Sequence, residues 1–364
     1  MSMIPRTSED FTQAWMNEVL ALHLNGASVT DCQARQSDSP GQTAEVIMIE
    51  LEYSDSSVSL PQKMVAKITS QDPLILTQLI ASFDQYRRET SFYSEFPDIG
   101  IPVPQCLHQN YHQATEEFVI LMGDLAPATS PSWAITPAEV ELSLSALPAF
   151  HAKWWNDPML REKDWMVQFD DRNFFGLAFG AAKAGADKLD DYYENPEPTQ
   201  ALMSYAQENL EQLLAWTASR PFTFVHGDYH AKQMCFPTPA GGDFSVIDWQ
   251  FPFVAQGAWD FARMTGMCLD TKERQGRERI LLDQYLQGLA EHGVNNYNLN
   301  DLENDYRFGL FISQMIMSIA HGDTDVEIFK KECGKLNVNW QEAMLYRTQK
   351  AMLEWDLLDF MQQL

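Results

Sequence analysis

Long hydrophobic runs are missing from this sequence. No stretch of about 18 apolar residues, the length that a membrane-spanning helix needs, occurs among its 364 residues. Cysteine is also scarce: the five cysteines are dispersed and form no C-x-x-C pair, which argues against a disulfide framework or a zinc site. The N-terminal segment has no basic stretch followed by an apolar one, so we expect no signal peptide. These absences predict a cytoplasmic protein with reduced thiols and no membrane partner.

Basic residues are few as well. The chain has 25 Lys and Arg against 51 Asp and Glu, a net charge of −26. This balance argues against binding to nucleic acid or to an anionic membrane. It would favour a cationic or neutral ligand, but an acidic surface that is only solvated is the better explanation. Hydrophobic residues make up 45% of the chain, enough for a sizeable core, and the length suits one large two-lobed domain or two domains.

The most informative stretch runs from residue 221 to residue 260. Short apolar runs at 222–225, 234–236 and 244–247 are bounded by Gly and Pro, a pattern typical of buried strands. Asp228 follows the first run and Asp248 ends the third. We therefore expect a β-hairpin to bring these two carboxylates together, although 20 residues separate them in the sequence.

Two carboxylates in this order suit phosphoryl transfer. That reaction needs one carboxylate near the attacking hydroxyl and further oxygen ligands for the Mg²⁺ on the nucleotide phosphates. Kinases place the first in H-x-D, a metal-binding side chain five residues later, and a second Asp on the next strand. Here His226-Gly227-Asp228 forms the H-x-D, Gln233 stands five residues on, and Asp248 is the second Asp. Either aspartate alone is more typical of an ordinary turn; the ordered set indicates a phosphotransferase.

The composite motif resembles the aminoglycoside phosphotransferase-like family of small-molecule kinases, whose pattern is H-G-D-x-H-x-x-N followed by I-D-[FW]. Trp249-Gln250 and the segment 257–262, GAWDFA, are most similar to its ecdysteroid-kinase-like and related bacterial branch. The resemblance implies an α+β, protein-kinase-like, two-lobed fold. It places a β-rich nucleotide-binding lobe at 1–125 and a mainly helical catalytic and substrate-binding lobe at 126–364.

One position departs from the family pattern. Most members have Asn where this chain has Gln233. Glutamine keeps the amide oxygen but adds a methylene group, which shifts the geometry available to a metal ion. A catalytically weak or inactive, pseudokinase-like protein therefore stays an open alternative.

The resemblance implies further site residues in the first lobe. Val65-Ala66-Lys67 is similar to the V-A-I-K strand, whose lysine holds the α- and β-phosphates. Glu89, in a helix predicted over 74–96, sits where the family has the acidic partner of that lysine. Residues 121–125, LMGDL, resemble the hinge, so backbone groups around Met122 and Asp124 would bind the adenine edge. The turn at 37–43 has one glycine instead of G-x-G-x-x-G. Its Ser39, Gln42 and Thr43 are candidate donors to phosphates, and a plain hairpin turn explains the segment at least as well.

The implied function is Mg²⁺-dependent transfer of the ATP γ-phosphate to a hydroxyl of a small molecule, as in aminoglycoside, choline or ecdysteroid kinases. Asp228 would orient or deprotonate that hydroxyl. Asp248 and Gln233 would hold Mg²⁺, and Lys67, paired with Glu89, would hold the phosphates. The first alternative is the weak or inactive, pseudokinase-like protein named above, acting as a nucleotide-binding module. The second and less favoured one is a metal-dependent phosphoesterase, because Gly-Asp-x-His also occurs in metal hydrolases.

Downstream residues have expected structural roles. A helix predicted over 257–269 carries Asp260, which we expect to anchor the catalytic loop by hydrogen bonds, with Arg263 as a charge partner. His151 is expected to be a buried structural residue. Further helices are predicted over 174–193, 198–218, 272–292, 300–321 and 339–364.

Overall fold

The structure, a computed structural model, describes residues 3–38, 43–73, 76, 83–131, 135–189, 192, 194–323, 326–334 and 338–364. The chain divides into two compact units. The first consists of 1–128 and 237–251, and the second consists of 129–236 and 252–364. Asp248 thus belongs to the first unit and Asp228 to the second, and each is described within its own unit.

The first unit is built on a five-stranded antiparallel sheet. Its strands are β1 (Val29–Gln36), β2 (Ala44–Tyr53), β3 (Lys63–Thr69), β4 (Cys106–His112) and β5 (Glu117–Gly123), in the order β1-β2-β3-β5-β4. The described helices of this unit are α1 (Gln13–Val19) and α2 (Gln85–Glu95). Of the helix predicted over 74–96, residues 74, 75 and 77–82 lie outside the described part of the chain. A short strand, β9 (Ser245–Val246), also belongs to this unit.

β5 holds the two faces of this unit together. Successive side chains of a strand point to opposite faces of the sheet, and the five central residues of β5 are all buried. Phe118 and Ile120 share one buried cluster with Tyr86 of α2, while Val119 shares another with Trp15 of α1. The rings of Tyr86 and Phe118 stack with centroids 4.0 Å apart. This stacking docks α2 on the sheet, which brings the polar face of α2 to β3.

The second unit is mainly helical. Its described helices are α3 (Pro137–Lys153), α4 (Arg172–Ala186), α5 (Glu197–Glu208), α6 (Leu210–Ala218), α7 (Ala258–Cys268), α8 (Thr271–Glu291), α9 (Leu299–Asp323), α10 (Val326–Gly334), α11 (Arg347–Glu354) and α12 (Leu357–Gln362). Three short strands, β6 (Val167–Gln168), β7 (Thr223–Val225) and β10 (Phe253–Ala255), form a sheet with β10 in the middle. β8 (Met234–Cys235) follows a 3₁₀ turn at Ala231–Gln233.

α7 lies at the centre of the helical core, and all of its residues are buried. It packs closely on α9 because glycine removes the side chain between them: a Cβ at Gly309 would lie 2.8 Å from the carbonyl oxygen of Ala258. α4 approaches α9 at Gly185 in the same way. A helix enclosed on every side can present polar side chains only where they find partners, and α7 carries both Asp260 and Arg263.

The predicted α+β, kinase-like fold with a β-rich first part and a helical second part is confirmed. The predicted helix over 198–218 is wrong in one respect: the chain breaks at Asn209, whose φ of −116° and ψ of 29° lie outside the helical region. The helix predicted over 339–364 is also interrupted, because Asp356 has a left-handed φ of 48° between α11 and α12. α10 has no counterpart in the prediction. Among the described helices, none has the combined length and apolar character that crossing a membrane requires.

Candidate functional site

Three residues of the first unit form what we call the lysine cluster: Lys67 on β3, Glu89 on α2 and Asp248 just after β9. The Lys67 Nζ lies 2.8 and 2.6 Å from the two carboxylate oxygens of Glu89 and 2.6 Å from Oδ1 of Asp248. The Glu89 side chain is only 3% exposed and that of Asp248 is 24% exposed. The structure thus places the predicted partner beside Lys67 and adds Asp248 to the pair.

The cluster is electrostatically coupled. Burial alone would lower the pKa of Lys67, but Asp248 and Glu89 outweigh it and raise that pKa above its ordinary value. Burial raises the pKa of Glu89 in spite of the lysine. An ammonium between two carboxylates stays charged, and its three donors are directed by the carboxylates. The cluster therefore presents a fixed cation beside a partly exposed carboxylate.

The backbone at Asp248 is held in an unusual conformation. Its φ is 66°, in the left-handed region that Asp tolerates better than most residues. The following residue, Trp249, is fully buried, and its indole Nε1 donates to the carbonyl of Val246 at 3.1 Å. Its backbone N–H donates to Glu89. Burying the tryptophan thus turns the preceding carboxylate towards Lys67.

Gln250 links Asp248 to the end of the predicted phosphate-covering turn. Its Nε2 donates to Oδ2 of Asp248 at 3.4 Å, and its Oε1 accepts from the hydroxyl of Thr43 at 2.9 Å. Of the turn's other predicted donors, Ser39 and Gln42 lie outside the described residues. Sequence reasoning missed this link because 207 positions separate its ends.

The predicted hinge follows β5. Met122 is buried in that strand. The backbone N–H of Asp124 donates to the carbonyl of Lys63 at 3.1 Å, and its Oδ1 accepts from the N–H of Ala126 at 3.0 Å. The segment is therefore fixed against the sheet, while the adenine-binding roles of Met122 and Asp124 stay predictions.

Four residues of the second unit form what we call the aspartate cluster: Asp228, His230, Gln233 and Arg263. Oδ1 of Asp228 accepts from Nε and Nη2 of Arg263 at 3.1 and 3.0 Å. Oδ2 accepts from Nε2 of Gln233 at 3.1 Å and lies 3.2 Å from Nε2 of His230. Both carboxylate oxygens therefore have nitrogen partners.

These partners set the charge of the cluster. Burial alone would raise the pKa of Asp228, but His230 and Arg263 outweigh it and hold that pKa well below its usual range. Burial lowers the pKa of His230, which favours the neutral imidazole. Its Nδ1 accepts from the backbone N–H of Lys232 at 3.3 Å, so the ring proton resides on Nε2 and points to Asp228. The cluster thus keeps Asp228 ionised and fixed in one orientation.

Asp260 anchors the loop that carries Asp228, as the sequence predicts. Its carboxylate accepts from the backbone N–H groups of His226 and Gly227 at 2.7 and 2.9 Å. Gly227 has a φ of 82°, a conformation that favours glycine. His151 is fully buried and lies 3.4 Å from Asp260, with its other ring nitrogen 2.7 Å from the Tyr285 hydroxyl. These contacts support a structural role for Asp260 and His151.

Oxygen donors suitable for Mg²⁺ are present at the predicted positions. Mg²⁺ prefers oxygen ligands and takes several of them from substrate phosphates and water. Asp248 offers a carboxylate, and Gln233 commits its amide nitrogen to Asp228, which leaves the amide oxygen as its metal-binding atom. Within the described residues, no group of three or more His, Cys, Asp or Glu side chains is arranged to hold a metal. Each of these two oxygens is, within its own unit, of the kind that binds an ion also held by phosphates and water.

The chain is similar to several solved structures, and the first of the three described here supports the assignment of the fold. A protein of Ralstonia eutropha JMP134, described as a candidate aminoglycoside phosphotransferase, is 14% identical, with a TM-score of 0.54 over 96% of this chain and 97% of its own. An ethanolamine kinase of Plasmodium vivax is 12% identical, with a TM-score of 0.49 over 84% and 80% of the two chains. A choline/ethanolamine kinase family protein of Mesorhizobium loti is 12% identical, with a TM-score of 0.47 over 90% and 92%.

Comparisons of sequence match a smaller part of the chain than the comparisons of structure do. A family model described as "DUF1679: Uncharacterized oxidoreductase dhs-27" matches residues 188–354, which is less than half of the chain but includes Asp228, Gln233 and Asp248. This match supports the ecdysteroid-kinase-like branch of the resemblance. A search of curated proteins finds no match. The chain therefore has the fold of the small-molecule kinases that it was expected to resemble.

Sequence reasoning found most of these residues but not all of their partners. Arg263 was expected as a charge partner on α7, yet its guanidinium binds Asp228 and not Asp260. The three-residue spacing from Asp260 was the available signal for this contact. It places Arg263 on the side of the helix where Asp260 holds the Asp228 loop.

Proposed function

We propose that this protein is an ATP- and Mg²⁺-dependent phosphotransferase that moves the γ-phosphate of ATP to a hydroxyl group of a small molecule. The lysine cluster carries the proposal, because three distant segments of the chain meet to hold one ammonium between two carboxylates. Phosphoryl transfer needs a fixed cation at the nucleotide phosphates and carboxylate oxygens for the metal. Lys67 would supply the first and Asp248, with Gln233, the second.

Asp228 would receive the acceptor hydroxyl. Its carboxylate is held in one orientation by charged and neutral donors, so it would align the hydroxyl more than it would take up its proton. Alignment is valuable in itself, since correct placement supplies much of the rate enhancement in such reactions. Mg²⁺, when bound, would neutralise charge on the β- and γ-phosphate oxygens.

The proposal assigns a role to each of the two parts of the chain and a cellular location to the protein. Residues 1–125 would supply the nucleotide-binding lobe and 126–364 the catalytic and acceptor-binding lobe, with Asp248 returning to the first compact unit. The location would be the cytoplasm, and the partner a small-molecule acceptor, neither nucleic acid nor membrane. The low content of Lys and Arg supports this choice of partner.

A second candidate is a nucleotide-binding module without catalysis. Two observations favour it: both oxygens of Asp228 are already occupied, and Gln233 directs its amide nitrogen to that carboxylate. An arrangement of this kind would hold a nucleotide without accepting a hydroxyl.

Isothermal titration of ATP, with and without Mg²⁺, tests the proposal first. We expect binding that depends on Mg²⁺, followed by ADP release when a panel of hydroxyl acceptors is added. Asp228→Asn should then lower the transfer rate by about 10²- to 10⁴-fold while ATP still binds. An absence of ATP binding with either Mg²⁺ or Mn²⁺ would contradict nucleotide use altogether. A rate for Asp228→Asn within a few-fold of wild type would remove the catalytic role of that residue.

A further inference from the structure

α7 holds the Asp228 loop through two side chains of opposite charge. Asp260 accepts from two backbone N–H groups at the start of the loop. Arg263, one helical turn later, donates to the side chain of Asp228 through Nε and Nη2 at 3.1 and 3.0 Å. The first contact positions the backbone, and the second positions the carboxylate itself.

The contact between Arg263 and Asp228 is enclosed. The Arg263 side chain is 6% exposed and that of Asp228 is 16% exposed. The third guanidinium nitrogen, Nη1, donates to the hydroxyl of Ser313 on α9 at 3.4 Å. A planar guanidinium that is fixed at both ends leaves a carboxylate little freedom to rotate, and lysine cannot reproduce this fork of donors.

The other oxygen of the carboxylate is fixed by neutral donors. Gln233 and His230 approach Oδ2, and the imidazole is oriented by the backbone of Lys232. Arg263 is thus the permanently charged donor among the described contacts of Asp228 within this unit.

We infer that Arg263 is a positioning residue: it holds the Asp228 carboxylate in the orientation that receives the acceptor hydroxyl. The inference deepens the proposed function and rests on it for its catalytic meaning. It predicts that the two residues act as a unit. Loss of the guanidinium should change the environment of the Asp228 carboxylate before that of other groups.

The first experiment measures Asp228 directly and needs no substrate. Carboxyl ¹³C NMR at one pH, near 7, would compare the Asp228 resonance in the wild-type full chain and in Arg263→Gln. We expect this resonance to move in the variant, because Oδ1 of the carboxylate loses the two donors that fix it. An unchanged resonance in folded Arg263→Gln overturns the inference.

Arg347→Gln is the matched control. Arg347, on α11, is also a buried arginine that contacts α7, but it donates to the backbone carbonyls of Met267 and Cys268. Its replacement should leave the Asp228 resonance in place. An equal shift in both variants would show a general loss of structure and would also overturn the inference.

Kinetics give the second readout. Arg263→Lys keeps the charge without the fork, so we expect kcat to fall by about 10²-fold with KM for ATP within a few-fold of wild type. Equal losses in kcat and in ATP affinity would contradict a positioning role. Absence of phosphotransfer in the wild-type protein would remove the proposed function. The NMR comparison would still show whether Arg263 fixes the Asp228 carboxylate.

A double substitution tests whether poor folding of the single variant has the expected cause. If Arg263→Gln folds poorly because it leaves Asp228 buried without its cation, adding Asp228→Asn should restore stability in thermal unfolding. Additive losses in the double variant would show that the two side chains are not coupled.

Discussion

The rings of Phe92 and Trp249 stack face to face, with centroids 4.1 Å apart and planes within 4° of parallel. Phe92 lies on α2, one turn after Glu89, and Trp249 directly follows Asp248. The stack therefore joins the helix that carries one carboxylate to the turn that carries the other. It explains how a largely buried turn holds Asp248 in a left-handed conformation against Lys67.

Removing the indole should release Asp248. We expect Trp249→Ala to lower the free energy of unfolding by about 3–5 kcal/mol, as for other fully buried large aromatics, and to lower the phosphotransfer rate in the remaining folded protein. Trp249→Phe keeps a stacking ring but loses the donor to Val246, so its losses should be smaller. Urea unfolding and the transfer rate measure both. The stack would not be what positions Asp248 if Trp249→Ala lowered the transfer rate without lowering stability, or lowered stability without lowering the rate.

Two lysines on β3 allow a matched test of nucleotide binding. Lys67 lies in the lysine cluster, whereas the Lys63 side chain is 65% exposed and is 3.9 Å from Glu50. We expect Lys67→Met to weaken ATP binding by about tenfold or more, which is about 1.4 kcal/mol, and Lys63→Met to leave it unchanged. Calorimetric titration of ATP in the presence of Mg²⁺ measures both affinities. Similar affinities in the two variants would contradict the role of Lys67.

Gln233 decides between the active and inactive alternatives. Gln233→Asn brings the amide to the length that most small-molecule kinases of this kind have, and we expect it to keep or raise the transfer rate. Gln233→Leu removes the amide oxygen at similar size, so it should cost about tenfold or more and raise the Mg²⁺ concentration needed for half-maximal rate. A large gain in Gln233→Asn would identify the wild-type protein as a detuned kinase. Full activity in Gln233→Leu would exclude this residue from the metal site.

Asp305 should make stability depend on pH. Burial raises its pKa to about 6, although Arg220 donates to it at 2.7 Å and the Tyr297 hydroxyl donates at 2.7 Å. A folded-state pKa above the unfolded one stabilises the protein at low pH, and this stabilisation is lost as the pH rises through about 6. The shift of about two units corresponds to about 3 kcal/mol.

Urea unfolding between pH 4 and pH 7 tests this expectation. The stability of the wild-type protein relative to Asp305→Asn should fall by up to about 3 kcal/mol across that range. Asp301→Asn, at the other carboxylate that contacts Arg220, should lessen the fall without removing it, because the Asp301 charge contributes less than burial to the raised pKa of Asp305. A difference that does not vary with pH would contradict the buried, protonatable Asp305.

Two helical glycines should respond to alanine with opposite signs. A Cβ at Gly185 on α4 would lie 1.9 Å from the carbonyl oxygen of Ser318 on α9, whereas a Cβ at Gly276 on α8 would meet nothing within 4 Å. Gly185→Ala should destabilise the protein by about 1–3 kcal/mol. Gly276→Ala should stabilise it by about 0.5–1 kcal/mol, the usual gain at an exposed helical position. Shifts of equal sign in thermal unfolding would contradict the close packing of α4 and α9.

Local patterns in the sequence were enough to predict the class of fold and the residues with chemical function. Short apolar runs bounded by Gly and Pro indicate the strands β7, β8 and β9, and the helix predicted over 257–269 is observed as α7. H-G-D and I-D carry their signal in a few neighbouring positions. These features depend on contacts between residues close in the chain, which is why sequence reasoning reaches them.

Tertiary structure alone decided how these residues combine. The return of 237–251 to the first unit, the contact of Asp248 with Lys67 and the contact of Arg263 with Asp228 join positions that are far apart in the chain. No local pattern specifies such contacts, because they follow from the packing of buried groups such as Trp249 and from the need of buried charges for a partner. The sequence by itself determined which groups are available; the packing determined which charge each of them meets.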